Sequence, residues 1–216
     1  MNTFTLVLVI ILVLCLVWVG YGYIAVRGIE EPSYTVLKKT THYEVRKYDS
    51  YIVAETRVTS NFDQSLTEGF RRIADYIFGN NTATTSIAMT VPVGEVVQKS
   101  ESIAMTVPVH ETGYGDEHTI SFVMPSKYTL ATIPKPNNPQ VVLRSVPEHT
   151  VAVLSYSGFP GAERVEAKKN ELLSLLQNDK VQVLGPARAA FYNPPWTPPF
   201  MLRNEILIDI EYSTPQ

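Results

Sequence analysis

Cysteine is almost missing from this chain. Of 216 residues only Cys15 is one, and it lies inside an apolar run. That excludes a disulfide framework, and it excludes a thiol nucleophile anywhere after the run. Basic surplus is missing too. The net charge is −3 with few charge runs, which argues against nucleic-acid binding, because phosphate recognition needs a positively charged face. There is no glycine-rich phosphate loop, and Gly113-Tyr-Gly115 reads as a turn. The four histidines are His42, His110, His118 and His149, and no two have the close spacing of a paired metal motif. His110 and His118 flank the glycine turn and are expected to face solvent. No nucleophile elbow marks a serine hydrolase. Together these absences favour a binding protein over an enzyme.

What the chain does have begins with Phe4–Val26, 23 residues without a charge and rich in Leu, Val and Ile. As a helix it would reach ~34 Å, enough to cross a hydrocarbon core with some tilt. A cleaved signal peptide expects a basic start, a shorter apolar run and a small-x-small site. No Lys or Arg precedes this run, it is longer than such a core, and Leu14 is bulky where a lipoprotein box ending at Cys15 needs a small residue. The reading is a single-pass N-terminal anchor over residues 1–30. Trp18, Tyr21 and Tyr23 suit an interfacial belt at its C-terminal end. Arg27, Lys38 and Lys39 follow the run and lean toward a cytoplasmic domain. Three charges leave the side of the membrane open.

The remaining ~180 residues suit one domain, or two fused halves of one. Tyr34–Lys39, His42–Tyr48 and Tyr51–Thr56 read as strands, with Asp49-Ser50 as a turn. Asn61 or Asp63 starts a helix to about Phe78, whose Phe62, Leu66, Phe70, Ile73 and Ile77 share one face. The heptapeptide Ile-Ala-Met-Thr-Val-Pro-Val then occurs twice, at Ile87–Val93 and Ile103–Val109. Both copies read as short strands ended by Pro92 and Pro108, followed by a strand from Thr119 stopped by Pro125. The order then recurs. Val45-Arg46 and Val53-Ala54 match Leu143-Arg144 and Val151-Ala152 at a shift of 98 residues, and a second helix runs from Gly161 to about Asn178. Arg188–Tyr192 and Glu205–Glu211 complete the second set of strands. The expected fold is α+β: a distorted antiparallel barrel built from a duplicated β-α-β-β half, flanked by two helices. The halves cover about 34–133 and 140–212, joined by the stiff Pro134–Pro139 connector.

The doubled heptapeptide, Phe122–Leu130 (FVMPSKYTL), Pro136–Val141 (PNNPQV) and Tyr192–Phe200 (YNPPWTPPF) together resemble the SOUL haem-binding family. The similarity covers roughly Tyr34 to Glu211, with the motifs in the family's order. One departure is Leu202-Arg203, where many members have two arginines. The resemblance implies a 34–212 domain of this same architecture and a ligand, haem or another tetrapyrrole, lying between the first helix and a late loop of the second half. It does not imply one agreed iron ligand.

The residues themselves offer two surfaces for such a ligand. Porphyrin is a flat apolar disc with two carboxylates, so its protein partners are aliphatics, aromatics and a cation or two. Beside the core face of the first helix lies a stripe of Ser65, Gly69, Arg72 and Tyr76. Gly69 costs about 1 kcal/mol against alanine in a helix, which close approach of something flat would justify. Arg72, with Arg71 nearby, is positioned to pair with propionates. The competing explanation is that Gly69 admits a neighbouring strand and the arginines are solvated. The second surface is the proline-stiffened loop Asn193–Met201, which presents Trp196, Phe200 and Met201, or else simply closes one end of the barrel. His42 and His149 are the candidate axial ligands. Met89 and Met105 read as core. Two rival functions stay open: a small-molecule effector-binding module without haem, for which Glu44, Glu55 or Glu68 turned inward would favour a cationic ligand, and a hydrolase on the same fold.

Overall fold

The computed structural model of the chain describes residues 2–83 and 100–212. Helix α1 (Thr3–Ile24) is capped by the Asn2 side chain and precedes strands β1 (Tyr34–Lys39), β2 (Glu44–Tyr48) and β3 (Tyr51–Thr59). Helix α2 (Phe62–Ile77) follows, its N-terminus closed by the Asn61 carboxamide accepting from Gln64 N–H at 3.0 Å. Then come β4 (Asn81–Thr82), β5 (Val109–Tyr114), β6 (Glu117–Val123), β7 (Lys135–Pro136), β8 (Val142–Val146) and β9 (His149–Tyr156). Helix α3 (Ala162–Asn178), β10 (Arg188–Phe191), a 3-10 turn at Pro199–Met201 and β11 (Asn204–Asp209) complete the chain.

Nine strands form one antiparallel sheet in the order β1-β2-β9-β11-β10-β5-β6-β3-β8, while β4 pairs with β7. About the β10–β5 pair the order is mirrored, so β2, β3, α2, β5 and β6 correspond to β8, β9, α3, β10 and β11. The sheet curls into a half-barrel. It is open rather than closed, since β1 and β8 stand at its two ends.

Cross-strand register carries each face from one half into the other. The row Thr56, Ile120, Glu111, Ala189, Ile206, Leu154 runs across six strands on the helix-covered face. There Ile73, Tyr76 and Ile77 of α2 pack with Ala54, Ile120 and Phe122, while Leu172 and Leu176 of α3 pack with Val45, Ala152 and Ile206. One residue along, every side chain flips, because the strand period is two. The next row, Glu55, Ser121, His110, Ala190, Glu205, Ser155, therefore lines the opposite, hollow face. Tyr48, Val151, Val153, Tyr192 and Leu207 fill one end of that hollow.

Two expectations change here. The second heptapeptide copy is not a strand: β5 begins at Val109, after Pro108, and Ile103–Val107 crosses the sheet end in irregular form. A residue without a ladder donor marks the entry to this strand, where a sequence reading had put the exit. Val107 N–H instead donates to the Glu30 carbonyl at 3.0 Å, tying the segment after α1 to the domain. The first copy, Ile87–Val93, lies outside the described residues. The buried face of α2 is also rotated from the expected one, for Ser65, Gly69 and Tyr76 are core residues and Phe70 is exposed.

Gly69 shows why. A Cβ built there would stand 2.6 Å from Ile120 Cβ, so the helix crosses β6 at backbone distance. Gly69→Ala should cost about 1–3 kcal/mol in overpacking, more than the ~1 kcal/mol of helix propensity it gains. Thermal unfolding should show a net fall in Tm, restored by Ile120→Ala in the same chain. A rise in Tm would mean that the crossing has room to spare.

Candidate ligand-binding site

The α2 stripe is organised by the sheet. Ser65 Oγ donates to the Ser60 carbonyl at 3.2 Å and the Tyr76 hydroxyl to the Pro134 carbonyl at 2.7 Å. Burial raises the Tyr76 phenol well above its ordinary value. With Ile120 filling the space at Gly69, these three positions present no free wall. The arginines point outward but are occupied. Arg72 Nε donates to Glu68 at 2.8 Å and its Nη1 to the Arg57 carbonyl at 3.0 Å, while Arg71 chelates the same carboxylate. Hydrogen bonds from Arg72 and then Arg71 hold Glu68 below the usual carboxylate range.

The proline loop lies elsewhere. Trp18 Nε1–H donates to the Trp196 carbonyl at 2.8 Å, and Trp196 Nε1–H donates to the Tyr21 hydroxyl at 3.0 Å. Met201 Sδ and the Pro198 ring crowd Gly22 of α1. Among the described residues no hydrogen bond, ion pair or ring contact joins Arg71 or Arg72 to Trp196, Phe200 or Met201. The two surfaces read from the sequence are therefore not joined by direct contacts of these kinds.

Two of the four histidines are placed differently from expectation. His42 is exposed in the bend before β2. His149 stacks on Tyr48 at 5.8 Å, and its Nδ1 bonds the Pro147 carbonyl at 2.8 Å. His110 and His118, expected in solvent, are both buried. Nearness to a turn misleads because the hairpin is tight: β5 and β6 continue up to Gly115-Asp116, so His110 sits inside the sheet, paired with Ser121 of β6 and Ala190 of β10. His118 leans across Gly113, where no side chain intervenes, to bring Nδ1 within 2.8 Å of Glu111 Oε1. Lys169 Nζ meets the other oxygen of that carboxylate at 3.2 Å.

Among the described residues, two hollows are large enough to consider for a ligand. The larger, about 680 Å³, lies beside Glu30–Ser33, the Asp49–Tyr51 turn and Val123–Leu130. Its apolar wall includes Ile52, Met124 and Leu130, with the phenols of Tyr51 and Tyr128. The smaller, about 250 Å³, lies on the hollow face and is lined by His110, His149, Tyr51, Ser121, Arg144 and Arg188, among others. Its charges are matched: Arg144 pairs with Glu55 at 3.0 Å and Arg188 with Asp209 at 3.0 Å. Burial pushes the His110 imidazole down to about 3, with smaller contributions from Arg188 and His149.

Glu205 was not singled out from the sequence. It is buried beside the hollow and accepts from Arg46 Nη1 at 3.0 Å, Arg203 Nε at 3.1 Å, Tyr192 Oη at 2.7 Å and Ser155 Oγ at 3.3 Å. A single sequence offers no signal for such a cluster, whose members come from three strands and the loop between β10 and β11. The carboxylates that would have favoured a cationic ligand are each neutralised. Glu44 meets Lys39 at 2.9 Å and Arg46 at 2.8 Å, Glu55 meets Arg144, and Glu68 meets Arg71 and Arg72. Among the described residues no serine hydroxyl is hydrogen-bonded to a histidine, the pairing a serine hydrolase needs.

Comparison with known proteins adds three findings. A family model described as SOUL heme-binding protein matches residues 29–209. The chain is 30% identical over 138 residues to Heme-binding protein 2 of Homo sapiens, covering 63% of this chain and 62% of that protein, so the match spans less than two thirds of the human relative. It is 28% identical over 167 residues to Heme-binding protein 2 of Mus musculus, covering 74% and 72%. Among solved structures, the EcmrR C-terminal domain superposes with a TM-score of 0.56 at 11% identity, over 81% of this chain and all of that one. EcmrR in its DNA complex gives 0.54 at 11% identity, over 79% and 57%. At such identity the likeness is one of fold.

Proposed function

The chain belongs to the SOUL heme-binding family, and on that premise we propose that it binds haem or a related tetrapyrrole while held at a membrane by α1. The observation that carries this reading is the family match, which extends from just after α1 to the end of β11. The names of the two mammalian relatives support the ligand. For the anchor, support comes from α1 itself: 22 residues long, with an 18-residue stretch of mean hydropathy 2.9 that is not buried, Gly22 being the helix's one buried residue. A signal sequence passes the same test of length and composition. The role is binding, as buffer, carrier or sensor.

Size favours the larger hollow as the tetrapyrrole site. Its ~680 Å³ falls within the ~300–1,000 Å³ of small-molecule pockets, whereas ~250 Å³ falls below it. Tyr51, Tyr128 and Met124 supply flat or soft apolar contact, and tyrosine and methionine are both haem-ligand types. Charge fits less well. Glu30, Glu31 and Asp49 line this hollow and no Lys or Arg does, so propionates would point to solvent. The alternative site keeps the sequence-derived residues Arg71, Arg72, Trp196, Phe200 and Met201, with Ser65, Gly69 and Tyr76 as packing behind α2.

Haemin titrated into the full chain in detergent micelles should saturate near one equivalent with a shifted Soret band. A linear rise matching empty micelles would retire the proposal. Leu130→Asp should weaken binding about tenfold through a charge in the apolar wall, while Arg72→Ala and Trp196→Ala stay within about twofold. The reverse pattern would move the site to the α2 and proline-loop residues.

A further inference from the structure

Three aromatic rings stand out from the surface together. Phe159 is 57% exposed, Trp196 58% and Phe200 69%. They belong to two loops fastened to each other. Gly158 N–H donates to the Pro199 carbonyl at 2.9 Å, and Asn204 Nδ2 donates to the Gly158 carbonyl at 2.8 Å. The second loop is also tied to α1 through the Trp18, Tyr21 and Gly22 contacts described above. We propose that this face is a second, interfacial membrane anchor, with Phe159, Trp196 and Phe200 entering the headgroup layer of the bilayer that α1 crosses. The inference rests on the reading of α1 as a membrane span and deepens it.

Distance along α1 makes the argument. Trp18 precedes the helix end at Ile24 by six residues, ~9 Å at the helical rise, so the loop that it holds reaches ~9 Å back along the helix. The whole helix is only ~33 Å long, close to the ~30 Å hydrocarbon thickness. Little length is left to lift Trp18 clear of the membrane. A loop bonded at that level lies within ~8 Å of the hydrocarbon–headgroup boundary, the zone where Trp and Tyr concentrate.

Chemistry agrees with depth. Asn193–Met201 and Gly158–Gly161 contain no charged residue, so insertion desolvates none. Pro194, Pro195, Pro198 and Pro199 restrict the backbone beforehand, which limits the ordering entropy that docking removes. Exposed apolar rings on adjoining loops mark an interaction site, and the continuity with α1 identifies the lipid surface as its occupant. With two points of attachment the domain is held flat against the bilayer and does not swing on the segment after α1.

The chain has two tryptophans, so full-length Trp18→Phe leaves Trp196 alone and Trp196→Phe leaves Trp18 alone. Each is reconstituted into phosphatidylcholine vesicles with acyl chains brominated near the glycerol end. Trp196 emission is expected to fall by about half or more and to shift to the blue, as for an interfacial indole. Trp18 quenched with Trp196 unquenched would overturn the second anchor and leave the span standing. Neither quenched would overturn the span as well. Trp18→Phe removes one of the two loop hydrogen bonds, so a further variant keeps both tryptophans. In a Cys15→Ser chain, Phe200→Cys should react with a water-soluble maleimide at least about tenfold more slowly in vesicles than Asp116→Cys does. Equal rates would overturn the proposal.

Discussion

Glu205→Leu is expected to lower the unfolding free energy by about 3–5 kcal/mol, the cost of leaving a buried charge without its partner. Arg46 is the stranded group. It is buried beneath the Tyr34 ring, with its guanidinium carbon 4.5 Å from the ring centroid, and Glu205 is one of its two carboxylate partners. Burial works against the Arg46 charge. The adjacent Glu205 carboxylate, with hydrogen bonds to Tyr48 and Glu44, more than offsets it. Tyr192 also loses the acceptor of its buried hydroxyl. For a domain of this size the Tm should fall by ~2–4 °C per kcal/mol. The double variant Arg46→Met, Glu205→Leu should recover most of the loss, because an apolar pair of similar volume needs no compensation. Equilibrium denaturation of the three chains decides the point. A loss below about 1 kcal/mol for Glu205→Leu would mean that water reaches the pair.

His110→Leu is expected to flatten the acid limb of the stability profile. In the folded chain burial holds His110 at about 3, while an unfolded imidazole titrates near ~6.5. Between those values the unfolded state binds more protons than the folded one, so unfolding free energy rises with pH. The stabilisation is therefore complete above ~6.5 and is lost as pH falls toward 3, at up to ~1.4 kcal/mol per pH unit. Arg188, Arg144, His149 and Asp209, which share the hollow with His110, are present in both chains, so their own titration largely cancels in the difference. Urea denaturation at pH 7.5, 5.5 and 4.5 should show the parent chain losing about 2–3 kcal/mol more than the variant by pH 4.5. Parallel profiles would mean that His110 is protonated in place.

Local patterns in the chain anticipated its elements well. Asn61 with Phe62–Ile77, and Gly161 with Ala162–Asn178, bound α2 and α3 at the positions that capping chemistry marks. Tyr34–Lys39 is a strand with the expected ends. The thin match between Val45-Arg46 and Leu143-Arg144 points to the mirrored strand order, and in space both arginines turn onto the hollow face of β2 and β8. The stripe through Gly69 was visible as a pattern. Its meaning was not, because helical spacing reports that residues share a side and is silent on what meets that side. Ile120, 51 residues away, supplies the answer.

The sequence by itself determined the family, the class of fold, the apolar N-terminal helix and the lack of a phosphate loop or of any cysteine beyond Cys15. These follow from composition, short-range periodicity and motifs contiguous in the chain, which need no partner to be read. Only the tertiary structure decided that His110 and Glu205 share one row of the hollow face, that Arg71 and Arg72 are both engaged by Glu68, and that the proline loop rests on α1. The first of those relations depends on the register between strands. A shift of one residue would send His110 and Glu205 to the helix-covered face, and no local propensity encodes which of the two they take.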